Sequence, residues 1–163
     1  MNRKLLVIAC AWMFLLMSLA LGANEQSDQS TRANSGRDES IEVRQLVKVP
    51  PRLLQWELAQ MRGRLATLGQ LQAALSRGVY GETGDLAEKN LGMSWLATPL
   101  AQEVANYMPQ EMREMETDLH RAASRFAVEA TNAGATGDVR PANAALTEVM
   151  QKCVACHAAY RFR

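Results

Sequence analysis

Along residues 54–75 the positions Leu54, Leu58, Met61, Leu65, Leu68, Gln72 and Leu75 recur at steps of four, three, four, three, four and three. Such spacing lays them along one side of a helix and predicts a buried stripe there. Gln72 is the polar exception, with Leu71 beside it to supply the contact. The stretch GVYGETG (78–84) reads as a turn. Asp85 stands where it can cap a second helix carrying Leu86, Leu91, Met93 and Leu96, which Pro99 interrupts or ends before further turns from Leu100 to Tyr107. Met108-Pro109 opens a third helix with Met112, Met115, Leu119, Ala122, Phe126 and Ala130 inward, and ATNAGATGD closes it. Pro141 starts a fourth, whose stripe is Leu146, Met150, Cys153, His157 and Tyr160. No stretch alternates with period two, so no strand is expected. Four amphipathic helices on short or moderate loops predict an all-α fold, an antiparallel four-helix bundle over residues 49–163.

The chain before that domain is of a different kind. Arg3 and Lys4 precede LLVIACAWMFLLMSLALGA, an uncharged run that ends in small residues. Residues 1–23 have the form of an export signal, cleaved near Gly22 or Ala23. The run is longer than the usual signal core, so retention as an N-terminal membrane anchor is the other reading. Cys10 lies inside it as a small apolar residue. Residues 24–48 are polar, rich in Ser, Asn, Asp and Arg, and read as a flexible tether. Export places the rest of the chain in the periplasm, an oxidising compartment, with Cys153 and Cys156 as its two cysteines.

Composition adds little to this picture. Aromatics at 6% and abundant Ala, Leu and Met favour helix over strand. The formal charge is +1, and without Arg3 and Lys4 there are 16 basic against 17 acidic side chains. No basic stretch exceeds a pair, which argues against a nucleic-acid partner.

The chemistry gathers at the C-terminus, QKCVACHAAYRFR. On the fourth helix Cys153 and His157 are four residues apart, on one face, and Cys156 flanks them. C-x-x-C-H is the attachment pattern of c-type haem: two thiols become thioethers and the adjacent imidazole binds the iron. Other uses of these residues fit less well. A redox C-x-x-C sits at a helix N-terminus after a strand, not late in a helix. Structural zinc needs four ligands, and Cys153, Cys156, His157 and His120 make four on paper, but adjacent helical side chains diverge by about 100°. A disulfide between Cys153 and Cys156 would be strained within a helix. His120 otherwise reads as a surface or boundary histidine.

A C-terminal C-x-x-C-H followed by A-A-Y-R, on the last of four helices, resembles cytochrome c′ and its low-spin, methionine-ligated relatives. The resemblance spans residues 50–163, with the terminal motif as its specific part. It implies export, one covalent haem c and often a homodimer of two bundles. In that family the residue facing the sixth site of the iron commonly lies eight positions before a glycine. Gly69 counts back to Met61. Methionine there implies His157 and Met61 as axial ligands and an electron carrier with protein redox partners. An apolar blocking residue leaves the iron five-coordinate and able to bind nitric oxide or carbon monoxide. Methionine occurs in some five-coordinate members, and Met61 also reads as plain core, so these alternatives stay open. Arg161 matches the family's arginine four residues after the haem histidine. It is implied to contact a propionate or a ligand, or serves as a cation at the helix C-terminus. The family often has an arginine four residues before the Met61 position. This chain has Glu57, with Arg62 or Arg64 as substitutes, and Trp56 and Trp95 as pocket walls or ordinary core. No catalytic constellation of acid, base or nucleophile appears, so an exported electron carrier is expected rather than an enzyme. Membrane contact arises only through an uncleaved N-terminus. A thiol oxidoreductase using Cys153 and Cys156 without haem is the outlying reading.

Overall fold

The computed structural model describes residues 42–163. The export segment and most of the tether lie outside the described residues. Those described are mostly helical: α1 (Pro51–Ser76), α2 (Tyr80–Leu91), α3 (Pro99–Ala105), α4 (Gln110–Thr136) and α5 (Arg140–Ala159), with a 3₁₀ segment at Met93–Ala97. Prolines set several helix starts, because a missing N–H costs nothing in the first turn. They occupy the opening turns of α1, α3 and α5. Gly137, at φ 73°, closes α4 in the left-handed conformation that glycine adopts without strain.

Two short strands correct the expectation of none. β1 (Gln45–Val47) and β2 (Tyr160–Phe162) pair in parallel, with Gln45 opposite Tyr160 and Val47 opposite Phe162. Three residues are too few to show a period, and pairing draws on backbone groups that every sequence carries. β1 therefore takes residues assigned to the tether. α5 stops at Ala159, and Tyr160 is extended at φ −131°, ψ 154° rather than the next rung of a helical stripe.

A second correction concerns Gly78–Gly84. Only Arg77–Val79 form the connection, and α2 begins at Tyr80. Gly84 lies inside that helix and is buried where α2 crosses α4. A Cβ there would stand 2.7 Å from the Ala127 carbonyl oxygen and 2.6 Å from Thr131 Oγ1. This glycine permits a close approach of two helices rather than a turn.

The interior is divided. Its larger cluster joins Leu71 and Leu75 of α1, Leu91 of α2, Phe126 and a run of alanines of α4, and Leu146 and Val149 of α5. Its smaller cluster contains Val47, Leu53, Val104, Met108 and Met112. On α1 the buried residues are Leu53, Glu57, Thr67, Leu71, Ala74 and Leu75. Of the predicted stripe only Leu75 is buried, while Leu58 and Leu65 are 40% and 70% exposed. Leu58 stands beside the buried Glu57, and Leu54 beside the buried Leu53, so spacing alone named the neighbouring face. On α5, Val149 takes the place expected for Met150, which is exposed.

Gly84→Ala is expected to lose about 1–3 kcal/mol to overpacking, although alanine gains up to about 1 kcal/mol in helix propensity. Gly81→Ala, which meets nothing within 4 Å, keeps only that gain. Urea unfolding of the two variants checks the contrast.

Candidate functional site

The two clusters are separated by a cleft of about 680 Å³. Leu68, Leu119 and Cys153 border it from the larger cluster, and Met108, Met112 and Cys156 from the smaller. If enclosed and dry, a void of that volume would cost roughly 16 kcal/mol at ~24 cal/mol per Å³. That exceeds the ~5–15 kcal/mol by which a whole domain is stable. The cleft instead opens to solvent beside Leu65 and Val154, which are 70% and 69% exposed. Its size falls within the ~300–1,000 Å³ of ordinary ligand and cofactor sites, and its walls are mostly apolar as theirs are.

α5 contributes Cys153, Cys156 and His157 to this cleft, and α1 contributes Met61. Four residues placed together by sequence reasoning are thus brought together by the fold. Both thiols are free and half-buried. Burial pushes both above the ordinary thiol value. Cys156 reaches about 11, with Glu116 and Cys153 adding to the rise. A redox dithiol needs the opposite shift. Arg161 lies elsewhere: it sits on β2 opposite Leu46, not among the residues lining the cleft. Trp56 and Trp95 do not line it either.

One wall is charged. Glu57, only 1% exposed, faces Arg64 across 3.4 Å, and Glu116 of α4 lies 3.7 Å from the same guanidinium. Desolvation raises both carboxyls, Glu116 to about 7, against the pull of Arg64. The guanidinium carbon rests 4.2 Å from the centre of the Trp95 ring. Arg62 and Lys152 also line the cleft, the latter 3.7 Å from Asp118. Glu116 was not singled out by sequence. Its signal was a carboxylate four residues after Met112 and three before Leu119, on the inward face of α4.

His120 corrects the expectation of a surface or boundary residue. It is fully buried, stacked 4.9 Å from Trp95, which in turn stacks on Trp56 at 5.7 Å. Nδ1 lies 2.7 Å from the Leu91 carbonyl oxygen. A carbonyl only accepts, so Nδ1 carries the proton and Nε2 does not. The ring does not line the cleft, so the fold does not assemble the four zinc ligands counted on paper. Among the described residues no three His, Cys, Asp or Glu side chains converge to hold a metal ion.

Comparison with family models, with curated proteins and with solved structures finds no match to this chain.

Burial is the main cause that lowers the His120 pKa to about 4. The unfolded ring, at about 6.5, takes a proton that the folded ring refuses. This contribution is therefore lost as pH falls from the unfolded value toward the folded one. Between about pH 7 and pH 5 wild type should lose roughly 2 kcal/mol more stability than His120→Gln. Urea titrations of both proteins at the two pH values measure that difference, in which the opposing carboxyl contributions cancel.

Proposed function

We propose that the chain is an exported c-type cytochrome of four-helix-bundle architecture that carries one covalent haem c and transfers single electrons. The long helices α1, α4 and α5, with α2 completing the set, support that architecture, and α3 is an added link. The observation that carries the reading is the arrival of Cys153, Cys156, His157 and Met61 in one apolar cleft of cofactor size. The donor set fits the group: two thiols for thioether links, an imidazole, and a thioether sulfur. When bound, haem supplies a one-electron iron couple.

The protein's own residues then have distinct tasks. Cys153 and Cys156 would tether the haem, and His157 and Met61 would be the donors to its iron. Leu68, Met112 and Leu119 would keep water from the iron, which would favour the reduced state. The exposed Leu65 and Val154 at the mouth offer an apolar contact for a redox partner. A five-coordinate protein binding nitric oxide or carbon monoxide uses the same cleft and differs only in whether Met61 reaches the iron. The thiol oxidoreductase reading is disfavoured by the late position of the pair in α5 and by the upward shift of both thiols.

Protein matured in a host with haem-attachment machinery should gain the mass of one haem, and Cys153→Ser/Cys156→Ser should not. Its absorption spectrum should be low-spin and become high-spin in Met61→Ala. A bare polypeptide mass refutes the reading. A high-spin wild type leaves the five-coordinate alternative.

A further inference from the structure

The geometry points to a ligand-binding position on the α1 wall of the same cleft, around Met61. It would hold a small ligand that takes the sixth iron position in place of Met61 while accepting a hydrogen bond from Arg64 and donating one to Glu57. This rests on the haem reading above and extends it from electron transfer to ligand exchange.

Glu57 and Arg64 stand one turn to either side of Met61, four residues before it and three after, and all three line the cleft. Both polar groups have unmet hydrogen-bonding capacity. Glu57 Oε2 is buried without a partner, and so are Arg64 Nε and Nη2, the latter only within ion-pair range of Glu116 at 3.7 Å. The one bond between them, Arg64 Nη1 to Glu57 Oε1, is long at 3.4 Å. Each buried group left so costs about 1–3 kcal/mol, and native structures seldom keep several together without a partner in view.

The faces of a haem are apolar and offer these atoms nothing. A propionate would suit Arg64 but would add a third carboxylate beside Glu57 and Glu116. The unmet atoms are a carboxylate acceptor and guanidinium donors. Their complement is a small molecule with both a lone pair and an O–H or N–H. Arg64 is ready for it: the guanidinium is flanked by Glu57 and Glu116 and lies on Trp95, which is outside the cleft lining.

The test uses ferric holoprotein carrying Met61→Ala, titrated by absorption with azide, imidazole and 1-methylimidazole, and ferrous protein titrated with carbon monoxide. Azide accepts from Arg64, and only the unmethylated imidazole can donate to Glu57. A hydrogen bond to a charged buried group corresponds to about tenfold or more in affinity. Imidazole should therefore bind at least about tenfold more tightly than 1-methylimidazole, and Glu57→Leu should abolish that preference. Arg64→Leu should weaken azide by a similar factor and leave carbon monoxide, which makes neither contact, unchanged. Should Arg64→Leu fail to fold, the double variant Glu57→Leu/Arg64→Leu removes the pair together and should lose both effects. Equal binding of the two imidazoles, or azide affinity that survives loss of Arg64, overturns the inference while haem bands remain. Wild-type protein without haem bands overturns both readings.

Discussion

Everything in this fold turns on an apolar gap that its own side chains do not fill. One cluster joins α1, α2, α4 and α5 around Phe126, the other β1, the start of α1, α3 and the start of α4 around Val104. Close packing normally gives a domain of this size one contiguous core. Here the α1 side chains Met61, Leu65 and Leu68 line the gap, with Leu68 also packing against the larger cluster. Their burial is deferred to whatever occupies the cleft. An occupant that bridges both clusters would convert binding energy into folding energy, since a partner that favours the folded state stabilises it by mass action. A covalent tether through Cys153 and Cys156 would make that gain permanent.

The β1–β2 clip belongs to the same arrangement. Val47 is buried in the smaller cluster, against which Cys156, Tyr160 and Phe162 also pack. Pairing Val47 with Phe162 ties the start of the domain to residues just past His157. The end of a helix would otherwise fray, and the motif sits within its last two turns. Backbone pairing thus orders the segment that immediately follows the thiols and the imidazole.

The grouping of Cys153, Cys156 and His157 was legible because it is local: one helix suffices to bring all three to the same cleft. Met61, reached through the Gly69 spacing that the family resemblance implies, lines the same cleft. The rest depended on distant partners. Whether Glu57 or Leu58 turns inward is decided by Arg64 and Glu116, which a local pattern does not reveal. Gly84 resembles a turn residue until α4 is laid across it. His120 resembles a surface histidine until the Leu91 carbonyl and the Trp95 ring enclose it. The strands were invisible because three residues carry no period. The helical class needed none of this, and composition with periodicity sufficed for it.

The charged wall makes the strongest case that this face of α1 is shaped by more than stability. Replacing a buried ion pair by apolar side chains of similar volume is often neutral or stabilising. Leucine at both Glu57 and Arg64 would extend the smooth apolar lining already set by Leu65 and Leu68. The chain instead keeps two carboxyls around one guanidinium, with burial raising both carboxyls. That arrangement costs folding energy and leaves hydrogen-bonding atoms unsatisfied within a turn of Met61. A pure electron carrier gains from a dry, apolar and rigid wall, whereas exchange of a polar ligand at the iron gains from donors and acceptors held in advance. The polar pair beside Met61 is therefore the feature of this wall that apolar packing alone does not account for.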